Sequence, residues 1–252
     1  MNLYVQLDTT NHLVTTSGIS LQDFSRGLTQ LPQNILLLAG EDVPFTEYDR
    51  HTGFYFVKGV ENVANYFSQY EKSKEEKELR WIDVANVEML KEISEIELSE
   101  LLYLGHTKHS LHSPFFYKLK NQYVYFENAR EIGQIYYRHL DEFYRIFARK
   151  ITQMVFQQLN SKRNFFHKKQ LVQTIPHDLV EELSNLFTEG VLFSLHQEGE
   201  SEEEYKIPIF LLEDKIKYIE NFEQNKQDFL AMLVYNIATQ TWRIENDWSK
   251  IK

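Results

Sequence analysis

Seven Lys or Arg and no Asp or Glu occupy residues 143–177: Arg145, Arg149, Lys150, Lys162, Arg163, Lys168 and Lys169. Guanidinium groups bind carboxylates and phosphates through two parallel N–H bonds, and ammonium groups act on the same anions as point charges. Phe165 and Phe166 interleave the second half of the run, and aromatic rings can stack on bases. The chemistry this implies is anion binding by Arg145, Arg149, Lys162, Arg163, Lys168 and Lys169. Its ligand would be a phosphorylated molecule, an acidic protein or a nucleic acid. Residues 178–205 invert the pattern, with nine acids and no Lys or Arg. The competing reading is therefore that the two blocks neutralise each other, within one chain or across a homo-oligomer.

A second cluster holds His106, His109 and His112. Imidazole is a ligand for zinc, iron and nickel, and a hydrolytic zinc centre needs three ligands and an open position. The spacing of three suits this poorly. On a continuous helix His112 stands about 240° from His106, so only a loop could gather all three. No HExxH motif is present. A polar loop with surface histidines explains the same residues. A third set of acids, Glu41, Asp42, Glu47 and Asp49, follows the apolar run 34–39 and could attract Mg²⁺. No glycine-rich phosphate loop and no GxSxG nucleophile elbow accompanies it.

The chain has 252 residues, a formal net charge of −10, 14% aromatic residues and no cysteine. Disulfides, thiolate metal sites and cysteine nucleophiles are thereby excluded. The first residues lack a basic region and an apolar run, which predicts no secretory signal. The longest purely apolar stretch among the first forty residues is Ile35–Ala39, too short to span a bilayer. A cytoplasmic protein with no membrane contact and no implied cofactor is expected. The acidic balance disfavours nucleic acid unless the cations gather on one face.

The elements that must position these residues follow from periodicity and punctuation. A strand is predicted over residues 3–7, then a helix from Leu21 to Leu31 capped by Ser20 and stopped by Pro32. Residues 34–39, 54–57 and 80–84 read as strands, and 60–70 as a helix. Residues 86–104 read as two helical pieces. Ser94 and Glu97 form a capping box there, and Gly105 is placed as the terminating glycine. Residues 115–119 and 123–126 read as a hairpin.

The apolar phase of Ile132, Tyr136, Phe143, Phe147 and Ile151 predicts one helix over 129–159, with Arg138, Arg145 and Arg149 within about 40° of each other on its polar face. Helices over 178–188 and 214–233 and a hairpin of 191–195 with 206–211 complete the chain, Pro208 marking the second strand as an edge. Helix 178–188 with that hairpin resembles the last helix and wing of winged-helix domains. The resemblance would imply a regulator, but its acids would repel DNA phosphates.

The expected fold class is α+β, with a mixed sheet-and-helix part over 1–128 and a mainly helical part with one hairpin over 129–252. A single continuous domain is the alternative. The leading functional expectation is a non-catalytic binding or regulatory protein that meets an acidic partner through its basic segment. Metal-dependent hydrolysis by His106, His109 and His112, and nucleic-acid regulation, are the alternatives.

Overall fold

The computed structural model describes residues 2–39, 43–72, 78–106, 114–128, 132–161, 169–195, 203–212 and 230–246. The fold is α+β. In chain order the elements are β1 (Asn2–Asp8), β2 (Leu13–Ser17), α1 (Leu21–Gly27), β3 (Asn34–Leu37), β4 (Thr46–Tyr48), β5 (Tyr55–Lys58), α2 (Val60–Lys72), β6 (Leu79–Asp83), a 3-10 turn (Val87–Glu92) and α3 (Glu95–His106). They continue with β7 (Tyr123–Glu127), β8 (Ile132–Tyr137), α4 (Leu140–Ser161), α5 (His177–Phe187), β9 (Val191–Ser194), β10 (Glu204–Leu211), β11 (Ala231–Asn236) and β12 (Thr241–Asn246). No described helix is long and apolar enough to cross a membrane.

The chain forms two compact units. One, here the N-terminal unit, comprises Asp8–Thr15 and Ile19–Phe143. Its strands run in the order β2-β8-β7-β6-β3-β5-β4, and the pairs from β8 to β4 are antiparallel. The register explains why the sheet is covered on both faces. Leu36, Ile82, Val124 and Tyr136 stand opposite one another across four strands. They pack with Leu90, Leu101, Leu104 and Leu119 from the side of the 3-10 turn and α3.

The neighbouring row alternates to the other face, as a period of two requires. There Trp81 and Tyr125, direct cross-strand partners, stack with centroids 5.1 Å apart. Phe24 of α1 and Phe67 of α2 close over them at 5.8 and 5.4 Å from Trp81. Such ring pairs add about 0.5–1.5 kcal/mol each beyond the area they bury.

The other unit, here the C-terminal unit, comprises Met1–Leu7, Thr16–Gly18 and Tyr144–Lys252. Its strands run β12-β11-β10-β9-β1, all antiparallel. Leu3, Phe193, Ile209 and Ala231 form one row across the sheet. Phe193 meets Phe147 of α4 at 5.2 Å, and Phe147 meets Phe187 of α5 at 5.0 Å. The two helices thus lie together on that face. Gly190 follows α5 with φ +81, and a Cβ there would sit 2.8 Å from the Tyr4 hydroxyl. Only glycine ends the helix at this point without strain.

Several expectations need correction. The long helix does not begin at residue 129. Residues Ile132–Tyr137 are β8, paired with β7, and α4 starts at Leu140. Ile132 and Tyr136 fit the helical phase by chance, and the β-rich run Ile135-Tyr136-Tyr137 finds a strand partner instead. Residues 115–119 are not a strand. The Asn121 side chain accepts from the Phe116 N–H at 2.8 Å and donates to the Pro114 carbonyl at 3.1 Å, which closes a turn.

Helix α1 ends at Gly27, four residues before the expected Leu31. Gly105 lies inside α3 rather than beyond its end. Pro208 is not on an edge: β10 is flanked by β9 and β11. Its register with β9 covers Ile209–Leu211 only, so the missing N–H falls where that ladder has ended. Of the helix expected over 214–233, residues 231–233 belong to β11 and 213–229 lie outside the described residues.

Candidate functional site

Helix α4 buries Phe147, Ile151, Met154 and Val155. The 3.6-residue period then turns residues 145, 149, 153 and 157 outward. Arg145, Arg149, Gln153 and Gln157 are exposed. This row of side chains, one turn apart, extends over about 18 Å at 1.5 Å per residue. Every member has a planar head that donates at least two hydrogen bonds. Lys150 is half-buried on the flank.

The chain after α4 is tied back to its end. Asn160 Nδ2 donates to the carbonyls of Phe156 at 2.8 Å and Gln170 at 3.0 Å, and the Gln170 N–H donates to Asn160 Oδ1 at 2.8 Å. This clamp puts exposed Lys169 beside the helix C-terminus, where the macrodipole favours a cation. Farther on, the Ile175 N–H donates to Thr152 Oγ1 at 3.2 Å, and Trp242 Nε1 donates to the Gln173 carbonyl at 2.8 Å. Helix α5 begins at this anchored point.

Helix α5 packs Val180, Leu183 and Phe187 inward and exposes Asp178, Glu181 and Glu182. Its first residue, His177, lies edge-on to Tyr144 of α4 at 6.0 Å and has its Nδ1 3.6 Å from the Glu181 carboxylate. The C-terminal unit therefore carries a cationic row and an anionic row on adjacent helices.

Of the six residues expected to bind anions, Arg145, Arg149 and Lys169 are exposed as required. Lys162, Arg163 and Lys168 lie outside the described residues. Arg138 does not extend the row. It follows β8, donates from Nε to the Asn121 carbonyl at 2.8 Å and covers the Phe115 ring at 4.9 Å. Gln153 and Gln157 continue the spacing from Arg149, but as carboxamides they carry no charge that would mark them in composition.

The histidine cluster is not assembled by the described residues. His106 ends α3, where its backbone alone is described, and His109 and His112 lie outside them. Among the described residues no group of three His, Asp or Glu side chains could hold a metal ion. Glu41 and Asp42 also lie outside. Asp49 is engaged in a turn, accepting from the Thr52 N–H at 2.8 Å and its hydroxyl at 2.6 Å. His51 Nε2 is 3.1 Å from the Ile93 carbonyl oxygen.

Two carboxylates of the N-terminal unit are strongly perturbed. Burial pushes Asp83 up to about 7, against N–H bonds from Gln122 and Tyr123 and the charge of Arg138. Those bonds are 2.9 Å from Gln122 and 2.6 Å from Tyr123 to the same oxygen. Asp83 thus fastens the start of β7. Glu97 is held down to about 2 by the Ser94 N–H and hydroxyl, with Lys118 adding to them. This is the capping box the sequence predicts: the Ser94 N–H donates to the Glu97 carboxylate at 2.8 Å and the Glu97 N–H to the Ser94 hydroxyl oxygen at 3.4 Å. Both groups position backbone, and neither faces a nucleophile among its described partners.

No family model matches the chain, and no curated protein or solved structure is similar to it.

Proposed function

We propose that this is a non-catalytic cytoplasmic binding protein that holds an acidic protein segment against the exposed row of α4. The observation that carries the reading is the placement of Arg145 and Arg149 one turn apart on the solvent face, continued by Gln153 and Gln157. An acidic helix presenting Glu at intervals of four repeats at the same pitch, about 6 Å. Guanidinium heads take carboxylates in bidentate geometry, and the carboxamides extend the register without requiring further charge.

An acidic segment fits better than nucleic acid. The protein's net charge of −10 and the exposed Asp178, Glu181 and Glu182 beside the row repel a long phosphate chain. A short segment can engage the row alone.

The test is fluorescence anisotropy with a labelled Glu-rich helical peptide, using a DNA oligonucleotide in parallel. The peptide is expected to bind in low salt and to weaken several-fold between about 50 and about 300 mM NaCl, as screening shortens to within one side-chain length. Arg145→Ala with Arg149→Ala should raise Kd about 5- to 10-fold, on the order of 1 kcal/mol. Unchanged binding in that variant, or tighter binding of the oligonucleotide than of the peptide, contradicts the reading.

A further inference from the structure

We infer that the acidic segment met by the α4 row is α5 of a second copy of this chain, so that the protein self-associates through an α4–α5 face. This rests on the reading above and names its partner. Arg145 and Arg149 are exposed on α4, and Asp178 and Glu181 on α5. The two helices touch through Tyr144 with His177 and Phe147 with Phe187. On α5 the buried set Val180, Leu183 and Phe187 leaves Asp178 and Glu181 on the opposite side, facing away from the sheet as Arg145 and Arg149 do.

Tyr144 meets the first residue of α5 and Phe147 its last, so the helices cross within the C-terminal unit, with the cations on one and the acids on its neighbour. A face built this way is complementary to itself. A two-fold axis between the rows sets each α4 on the partner's α5, and both ends of the contact are satisfied by one operation. Like-charged alternatives, α4 on α4 or α5 on α5, are repelled. Leu171 adds apolar surface to the same unit. It is 68% exposed and follows directly on the Gln170 that clamps the end of α4. A contact two helices wide and about 18 Å long is at the small end of specific interfaces. The association is therefore weak and salt-sensitive.

Sedimentation equilibrium on the full chain tests this, with circular dichroism to verify folding of each variant. Wild type should associate at about 50 mM NaCl and dissociate at about 500 mM. Arg145→Glu with Arg149→Glu should be monomeric, as should Glu181→Lys with Glu182→Lys, each weakening association at least about tenfold. An equimolar mixture of the two variants should dimerise again, because each α4 then meets an α5 of opposite sign. A wild type that stays monomeric at low salt, or folded variants whose mixture stays monomeric, overturns the inference. If the Arg145- and Arg149-dependent binding of the Glu-rich peptide survives that outcome, only the self-partner falls. If the peptide also binds independently of both arginines, the underlying reading falls with it.

Discussion

Asp83 shows how a single buried carboxylate can organise backbone. Its oxygens accept from the N–H groups of Gln122 and Tyr123 at the start of β7. Burial holds its folded pKa up to about 7, whereas the unfolded chain releases the same proton near about 4. The stabilisation tied to the protonated form is therefore complete below about pH 4 and is lost as pH rises to about 7. Urea unfolding of wild type and Asp83→Asn should show the wild-type advantage shrinking between about pH 4 and about pH 7. A constant difference across that range would contradict the assignment. Nothing in the local sequence Trp81-Ile82-Asp83-Val84 announces this role, because the donors lie 39 and 40 residues away.

At the scale of elements, the sequence is most legible where capping chemistry is local. Ser20 with Asp23 and Ser94 with Glu97 form the helix starts that their spacing predicts. It is least legible where one phase serves two structures, as at Ile132 and Tyr136, because strand pairing depends on a partner elsewhere in the chain. Gly105 illustrates the same limit. A glycine after a leucine-rich run predicts a helix stop, yet it sits within α3, where an added Cβ would come 2.8 Å from the Leu38 carbonyl oxygen. Its own carbonyl accepts from Arg80 at 2.8 Å. Helix propensity alone would make Gly105→Ala stabilising by about 1 kcal/mol. The close approach reverses the sign, and the variant should lose about 1–3 kcal/mol in denaturant unfolding. A more stable Gly105→Ala protein would show that α3 can move off Leu38 at no cost.

Across the whole molecule, charge is sorted by position as well as by sequence. Of the basic block in residues 143–177, Arg145, Arg149 and Lys150 lie on α4, Lys169 follows it, and Lys162, Arg163 and Lys168 lie outside the described residues. The acid block begins on α5, the helix whose first residue meets α4 through Tyr144. The charges of the row were legible in composition. Its carboxamides, and the separation of Arg138 from it, required the positions of α4 and β8. In the proposed complex, Arg145 and Arg149 are the groups that an acidic segment touches. Nitrogen-15 NMR of the arginine Nε–H groups during titration with the Glu-rich peptide reads this directly. The Arg145 and Arg149 signals should shift and saturate together, while Arg80 and Arg138, engaged with the Gly105 and Asn121 carbonyls, hold their positions. Binding that leaves Arg145 and Arg149 unmoved would contradict the account.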